Sequence, residues 1–174
     1  MQSCGGDVAG SWTITSSCID FTLDLGATCP GLTSSGTTTN TGSVTFKGDQ
    51  TYEETFTVSG TVRYEFPSSC LGGRTCAEQQ DALMQVGGAM ASFTSVACHS
   101  SAAGCSCEGT VVPVSTSESG TYSVSGGILT TVHDGTTDQN GYCVIGDVMH
   151  QMPIATPGSP AGTVAGTVTL SRAR

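Results

Sequence analysis

The chain has few charged side chains and very few basic ones. Among its 174 residues, Lys and Arg number 5 against 14 Asp and Glu, and the formal net charge is -9. The five basic residues are scattered along the sequence, whereas a protein that binds nucleic acid needs a clustered basic surface to neutralise phosphates. The sequence therefore argues against a nucleic-acid partner.

The chain also lacks the local motifs that mark common catalytic sites and membrane spans. It has no nucleophile elbow, no phosphate-binding loop and no dinucleotide-binding fingerprint. No apolar run reaches the length of about 18 residues that a membrane-spanning helix needs. Asp7, Asp20 and Asp24 do not follow the alternating pattern of a calcium-binding loop. We therefore predict neither a cofactor nor a metal ion.

Short alternating segments rich in Thr, Ser and Gly make up most of the chain. In residues 42–67 apolar side chains alternate with polar ones, and turn residues stand at Gly48-Asp49 and at Ser59-Gly60. Such alternation is typical of half-buried antiparallel strands in a β-meander. Because the length suits one domain and not two, we predict a single β-domain over residues 10–174, after a flexible N-terminal tether of residues 1–9.

Further strands and one helix complete the predicted architecture. A helix over residues 77–86 is indicated by the capping-box spacing of Thr75 and Glu78, and Gly87-Gly88 would end it. Residues 18–40 are expected to form a loop overhanging one mouth of the fold, where ligand lids usually sit. The predicted strands number about nine or ten, near the eight that close a small barrel. Outside the meander, the first strand begins at Gly10, and the other strands are predicted over residues 91–98, 107–114, 120–124, 128–132, 142–145, 147–152 and 163–172.

Nine cysteines are the second strong signal in the sequence. Their density in an acidic chain rich in Ser and Thr indicates disulfides formed in an oxidising compartment. The odd count leaves one residue over, and Ser3-Cys4-Gly5-Gly6 is similar to the end of a bacterial lipobox. We expect Cys4 to be the lipidated first residue of the mature protein, which would make a lipid anchor the chain's one link to a membrane. The alternative is an unpaired or crosslinking thiol.

The remaining eight cysteines would form four disulfides: Cys18, Cys29, Cys70, Cys76, Cys98, Cys105, Cys107 and Cys143. Short spacing favours a Cys18–Cys29 bridge and a Cys70–Cys76 bridge. A local bridge from Cys98 and a longer bridge from Cys107 to Cys143 would use the others. Cys98-His99 and the nearby Cys-x-Cys could also bind zinc or copper, but the spacing is not that of a zinc finger, and the compartment favours disulfides.

The two ends of the predicted domain resemble lipocalin-like, calycin-type barrels. Gly10-x-Trp12 stands at the head of the first strand and Arg172 closes the last one. In that family the Trp closes the barrel floor and an Arg from the last strand lies across its ring, a sensible cation–π contact. The long helix that precedes the last strand in classical lipocalins is absent from this sequence. The Cys-Gly-Gly start is also similar to that of Cys-rich predicted lipoproteins of soil deltaproteobacteria, mostly without assigned function.

Two polar residues are candidates for chemistry inside such a barrel. Glu54 lies on the apolar face of its strand, where burial would raise its pKa, although a bulge would turn Glu53 inward instead. His150 stands between Met149 and Met152; these side chains suit copper, but on a strand they cannot all converge. We expect His150 to lie in or near the cavity. His133-Asp134 precedes Gly135 and is expected to be an exposed turn.

Taken as a whole, the sequence predicts an all-β, antiparallel up-and-down barrel of lipocalin type, braced by disulfides, in the bacterial cell envelope or secreted. Such a barrel would bind a small apolar or amphipathic molecule. The alternatives are a barrel enzyme, a cyclase, isomerase or hydrolase, with Glu54 and His150 as its acid–base pair, and a structural envelope module with a filled interior. The predicted lining consists of Phe46, Tyr52, Glu54, Phe56, Tyr64, Phe66, Tyr142 and His150.

Overall fold

The computed structural model describes residues 3–85, 93–154 and 162–173. Within these ranges the chain forms nine β-strands and one α-helix, so the all-β prediction with one short helix is confirmed. The elements are β1 (Gly10–Asp24), β2 (Thr33–Phe46), β3 (Thr51–Pro67), α1 (Cys76–Gln85), β4 (Phe93–Ser100), β5 (Gly104–Ser125), β6 (Ile128–His133), β7 (Thr136–Ile145), β8 (Val148–Ile154) and β9 (Gly162–Arg172). Gly87-Gly88, the predicted end of the helix, lies outside the described residues.

All pairings between these strands are antiparallel. The hydrogen-bonded order is β3-β2-β1-β9-β8-β7-β6-β5-β4, and β3 is in addition paired with β5 over nearly its whole length. Following the pairings from β3 through β2, β1, β9, β8, β7, β6 and β5 therefore leads back to β3. Strand β4 is added beside the first half of β5.

The strands differ strongly in length. β6, β7 and β8 have 6, 10 and 7 residues, whereas β1, β2, β3 and β5 have 15, 14, 17 and 22. The long strands therefore continue past the short ones, and this extension carries β4 and α1. Buried apolar side chains form two clusters accordingly. We call the first the tryptophan core (Val8, Trp12, Val44, Phe46, Tyr52, Leu129, Tyr142, Met149 and Leu170) and the second the cysteine core (Leu32, Phe66, Cys105 and Cys107).

The predicted meander is wrong at one of its two turns. Ser59-Gly60 does not reverse the chain, because β3 runs unbroken from Thr51 to Pro67. Gly60 has a φ of 150° and produces a register irregularity against β5. A side chain there would overlap the carbonyl oxygen of Thr37 on the neighbouring strand, so glycine serves close strand packing here.

The predicted lid over residues 18–40 is also absent. β1 continues to Asp24 and β2 begins at Thr33, so only residues 25–32 remain as a connection between them. Hydrogen bonds across the strands, such as Thr37 Oγ1 donating to Asp20 Oδ1 at 2.5 Å, join side chains that the sequence suggested were loop. Thr is β-branched and suits a strand, so the Thr-rich residues 33–41 at the start of β2 form a strand without large apolar side chains.

The four disulfides differ from the predicted pairing. They join Cys4 to Cys143, Cys29 to Cys70, Cys76 to Cys105 and Cys98 to Cys107, and Cys18 has a free, exposed thiol. The predicted bridges Cys18–Cys29, Cys70–Cys76 and Cys107–Cys143 are wrong, while a local bridge from Cys98 is confirmed. The strand register determines which cysteines meet. Cys98 and Cys107, for example, are direct partners across β4 and β5. Four disulfides indicate an oxidising, extracytoplasmic environment.

The N-terminal segment is docked on the domain. Cys4 and Gly5 both donate backbone hydrogen bonds to the carbonyl of Tyr142, and Gly5 forms a parallel bridge with Cys143. Val8 is buried in the tryptophan core. The prediction of a free tether is therefore wrong for residues 4–8. Lipidation of Cys4 is contradicted as well, because its sulfur is bonded to that of Cys143 and cannot also carry a thioether.

Candidate functional site

A cavity of about 380 Å³ lies inside the circuit of paired strands. Eight strands contribute to its lining, and four of the predicted residues are among them: Phe46, Tyr52, Glu54 and Phe56. The alternation of β3 explains this result, since every second side chain of a strand projects to one face. The complete lining is Ile14, Ile19, Thr38, Asn40, Val44, Phe46, Tyr52, Glu54, Phe56, Val58, Glu118, Leu129, Thr131, His133, Asp138, Asn140, Gln151, Pro153, Val168 and Leu170.

The floor of the cavity is apolar and rests on Trp12. Trp12 is fully buried, and its indole Nε1 donates a hydrogen bond of 2.7 Å to the carbonyl of Val8. The Arg172 guanidinium lies 4.3 Å from the centre of the indole ring, so the predicted contact is confirmed. Arg172 Nη1 also donates to the carbonyl of Ala9 at 2.7 Å. A side chain at Gly10 would collide with this guanidinium, which explains the glycine.

One side of the cavity wall carries acidic side chains, which we call the acidic wall (Glu54, Glu118 and Asp138, with His133 among them). Glu54 on β3 and Glu118 on β5 are direct cross-strand partners. His133, at the end of β6, has its Nε2 3.6 Å from Glu118 Oε2 and its Nδ1 3.8 Å from Asp138 Oδ2. The Tyr52 hydroxyl is 3.3 Å from His133 Nδ1. The wall thus has contributions from four neighbouring strands.

Burial and like charge shift the acid–base properties of this wall. Burial, reinforced by the carboxylate of Glu118, raises the pKa of Glu54 to about 7, while His133 acts in the opposite direction. Burial also raises the pKa of Tyr52 to about 12, with Glu118 and Glu54 adding to the effect. The carboxyl group of Glu54 therefore titrates near neutral pH, whereas the Tyr52 hydroxyl stays protonated there.

No permanently charged basic side chain among the described residues neutralises the charge of these carboxylates. Lys47, Arg63, Arg74 and Arg172 are the four basic residues that the structure describes, and none of them lines the cavity. Lys47 and Arg63 instead pair with Glu53 and Glu65 on the surface. His133 is the one group of the wall that can become a cation, and it does so only when protonated.

Four of the predicted lining residues lie elsewhere. Tyr64 and Phe66 are farther along β3, where they pack with the cysteine core. Tyr142 is buried in the tryptophan core, and its hydroxyl donates to the carbonyl of Gly6 at 3.1 Å. His150 is hydrogen-bonded to Thr169 Oγ1 at 3.2 Å and does not line the cavity, because β8 turns Met149, Gln151 and Pro153 to the interior.

The sequence analysis missed Glu118, His133 and Asp138. The signal was present in the alternation: Glu118 has the parity of Tyr122 on β5, and Asp138 has the parity of Tyr142 on β7. Glu118 was overlooked because it falls in the gap between the predicted strands 107–114 and 120–124, which are one strand in the structure. Asp138 was overlooked because β7 begins at Thr136, several residues before the predicted start at residue 142. His133 was assigned to an exposed turn, whereas its side chain is only 21% exposed and the turn itself consists of the exposed Asp134 and Gly135.

The side chains of the acidic wall do not converge on one point as metal ligands would. Across residues 3–85, 93–154 and 162–173, no group of three or more His, Cys, Asp or Glu side chains is placed to hold a metal ion. The one helix of this part of the chain is too short to cross a membrane. Comparison of the chain with protein-family models, with curated proteins and with solved structures yields no match.

Proposed function

We propose that this protein binds a small apolar or amphipathic molecule inside a closed, lipocalin-type barrel. The observation that carries the proposal is the unfilled volume of about 380 Å³ between the strands. Binding sites for small molecules are concave, of about 300 to 1,000 Å³, with a mostly apolar lining and a few polar groups. The apolar floor and the single acidic wall of this cavity match that description.

The closed barrel is inferred from the strand pairings. Eight strands form a circuit that returns to β3, and eight is the number that encloses a small ligand site. Its first and last strands meet where Trp12 pairs with Arg172. The Trp12–Arg172 contact under the cavity is the feature that the lipocalin resemblance implies.

Compartment and partners follow from the same features. Four disulfides favour the cell envelope or the extracellular medium as the protein's location. A net charge of -9 and the pairing of Lys47 and Arg63 with surface carboxylates disfavour nucleic acid as a partner.

The two alternatives lose support from the cavity's geometry. An enzyme with Glu54 and His150 as its acid–base pair needs both side chains at one substrate, but His150 points to Thr169 and does not line the cavity. A module with a filled interior is disfavoured by the unfilled volume itself.

A neutral fluorescent probe, N-phenyl-1-naphthylamine, tests the proposal. We expect one probe to bind per chain with a rise in fluorescence. Thr38→Phe places an aromatic ring in the cavity and should abolish this binding, whereas Thr39→Phe, one residue away on the exposed face of β2, should leave it unchanged. Absence of probe binding by the unmodified protein, or equal binding by both variants, would contradict the proposal.

A further inference from the structure

The cavity carries acidic side chains on one side only. Its floor is formed by side chains that are at most 3% exposed, such as Phe46, Leu129 and Leu170. The acidic wall stands above this floor and opens to solvent: the side chain of Glu118 is 25% exposed and that of Asp138 is 53% exposed. A bound molecule therefore meets an apolar surface at one end and carboxylates at the other.

We propose that the cavity selects molecules that carry a positively charged amine beside an apolar body, an inference that rests on the proposed function of the cavity as a binding site. Glu54 and Glu118 project side by side from directly opposed positions of β3 and β5. Like charges in directly opposed positions destabilise a sheet. An ammonium group placed between them removes that repulsion and is attracted by both.

The remaining lining adds to the preference for a cation. β1, β2, β8 and β9 contribute only uncharged side chains among the lining residues that the structure describes. Tyr52 and Phe56 line the cavity two residues before and after Glu54 along β3, and an aromatic ring beside the carboxylate attracts an ammonium group further through cation–π attraction. A carboxylate ligand would meet three acidic groups and no resident cation, so it should be rejected.

The titration of the wall makes the selection dependent on pH. The charged or titratable groups that face Glu54 are Glu118 on β5, His133 on β6, Asp138 on β7 and Tyr52 on its own strand. Below neutral pH, Glu54 gains a proton and the wall loses negative charge. This change weakens the attraction for a cation, whereas the affinity for a neutral ligand should be unaffected.

Calorimetric titration with three ligands that share one eight-carbon chain tests the inference: octylamine, octanol and octanoate. At about pH 8 we expect the affinity for octylamine to be at least about ten-fold higher than that for octanol, and the affinity for octanoate to be the lowest of the three. Glu54→Gln and Glu118→Gln should each lower the affinity for octylamine about ten-fold and leave that for octanol unchanged. Lowering the pH to about 5.5 should have the same effect on the unmodified protein.

A matched control and separate outcomes keep this inference distinct from the proposed function. Glu53→Gln removes a carboxylate from the exposed face of the same strand and should change none of the affinities. Equal affinity for octylamine and octanol would overturn the selection for cations while leaving the binding function intact. Binding of none of the three ligands would overturn both. Retained octanol binding also shows that each variant is folded.

Discussion

The two halves of the molecule are stabilised in different ways. The ring half, around the tryptophan core, contains the largest fully buried side chains, including Trp12, Tyr52 and Met149, and one disulfide. The braced half, made of the cysteine core with β4 and α1, has three disulfides and few large apolar residues. Disulfides replace apolar burial where a core is too small to hold its segments. The half that encloses a cavity is therefore the half whose stability depends on side-chain packing.

Reduction of the disulfides should break this contrast most strongly. Each bridge contributes about 2 to 4 kcal/mol, so loss of the three in the braced half removes most of what holds α1 and β4 in place. We expect α1 and β4 to lose amide protection in reductant while β7, β8 and β9 keep theirs, as measured by hydrogen exchange with mass spectrometry. A double variant, Cys4→Ala with Cys143→Ala, separates the contribution of the ring-half bridge. Simultaneous loss of protection in both halves would contradict the comparison.

Trp12→Ala should be the most damaging single substitution in the ring half. Trp12 is fully buried, contacts Arg172 and holds the carbonyl of Val8, so its removal leaves a large void under the cavity. We expect a loss of about 4 kcal/mol in the free energy of unfolding, measured by urea denaturation. Trp12→Phe keeps most of the apolar contact and should cost less. A loss of under about 1 kcal/mol would mean that packing is not what holds this half.

Glu54→Gln should stabilise the protein at alkaline pH. Because the pKa of Glu54 is about 7 in the folded protein, above its ordinary value of 4.5, the folded state retains a proton that the unfolded chain has lost between these values. The free energy of unfolding should fall as the pH rises through this window, by on the order of 2 kcal/mol, and remain low above it.

Thermal or urea unfolding at several pH values provides the measurement for this substitution. Glu54→Gln should remove that fall, so the variant gains stability at about pH 8 and gains none at about pH 4. Glu53→Gln, whose side chain is exposed, should not alter the profile. A profile that is the same for Glu54→Gln as for the unmodified protein would show that this carboxyl group is not desolvated.

Thr75→Ala should have the smallest effect, confined to the braced half. Thr75 and Glu78 form the predicted capping box: the Thr75 amide donates to Glu78 Oε2 at 2.7 Å, and the Glu78 amide donates to Thr75 Oγ1 at 3.3 Å. Loss of the cap should cost about 1 kcal/mol. Faster hydrogen exchange in α1 alone is the expected result. Faster exchange in the ring half would show that the two halves are coupled.

The sequence predicted those features that depend on local chemistry. Alternation of side chains identified strands, and the capping box placed α1 within one residue of its observed bounds. The contact between Trp12 and Arg172 is not local and was predicted from the resemblance to lipocalin-like barrels. Features that depend on long-range register were missed. The partner of Cys4 lies 139 residues away, and no local spacing could have indicated it.

The candidate site was predicted in part for the same reason. Glu54 was found because large apolar neighbours on β3 reveal its face. Glu118 was missed because its neighbours are small Ser, Thr and Gly residues, so the predicted strands stopped on either side of it and its shared face with Tyr122 went unused. Its pairing with Glu54 confirms the side to which it belongs. His150 was placed on the wrong face because β8 carries apolar or half-buried residues on both sides, so its alternation is ambiguous.

The unequal lengths of the strands determine by which side a bound molecule would leave the cavity. The strands β6, β7 and β8 are short, so the wall of the cavity extends least on their side. Asp138 lies on that side, with about half of its side chain exposed to solvent. Departure by that side requires neither displacement of α1 nor separation of the disulfide-linked strands. Release would then be limited by rearrangement of a few side chains, which is fast, and not by slow opening of the backbone.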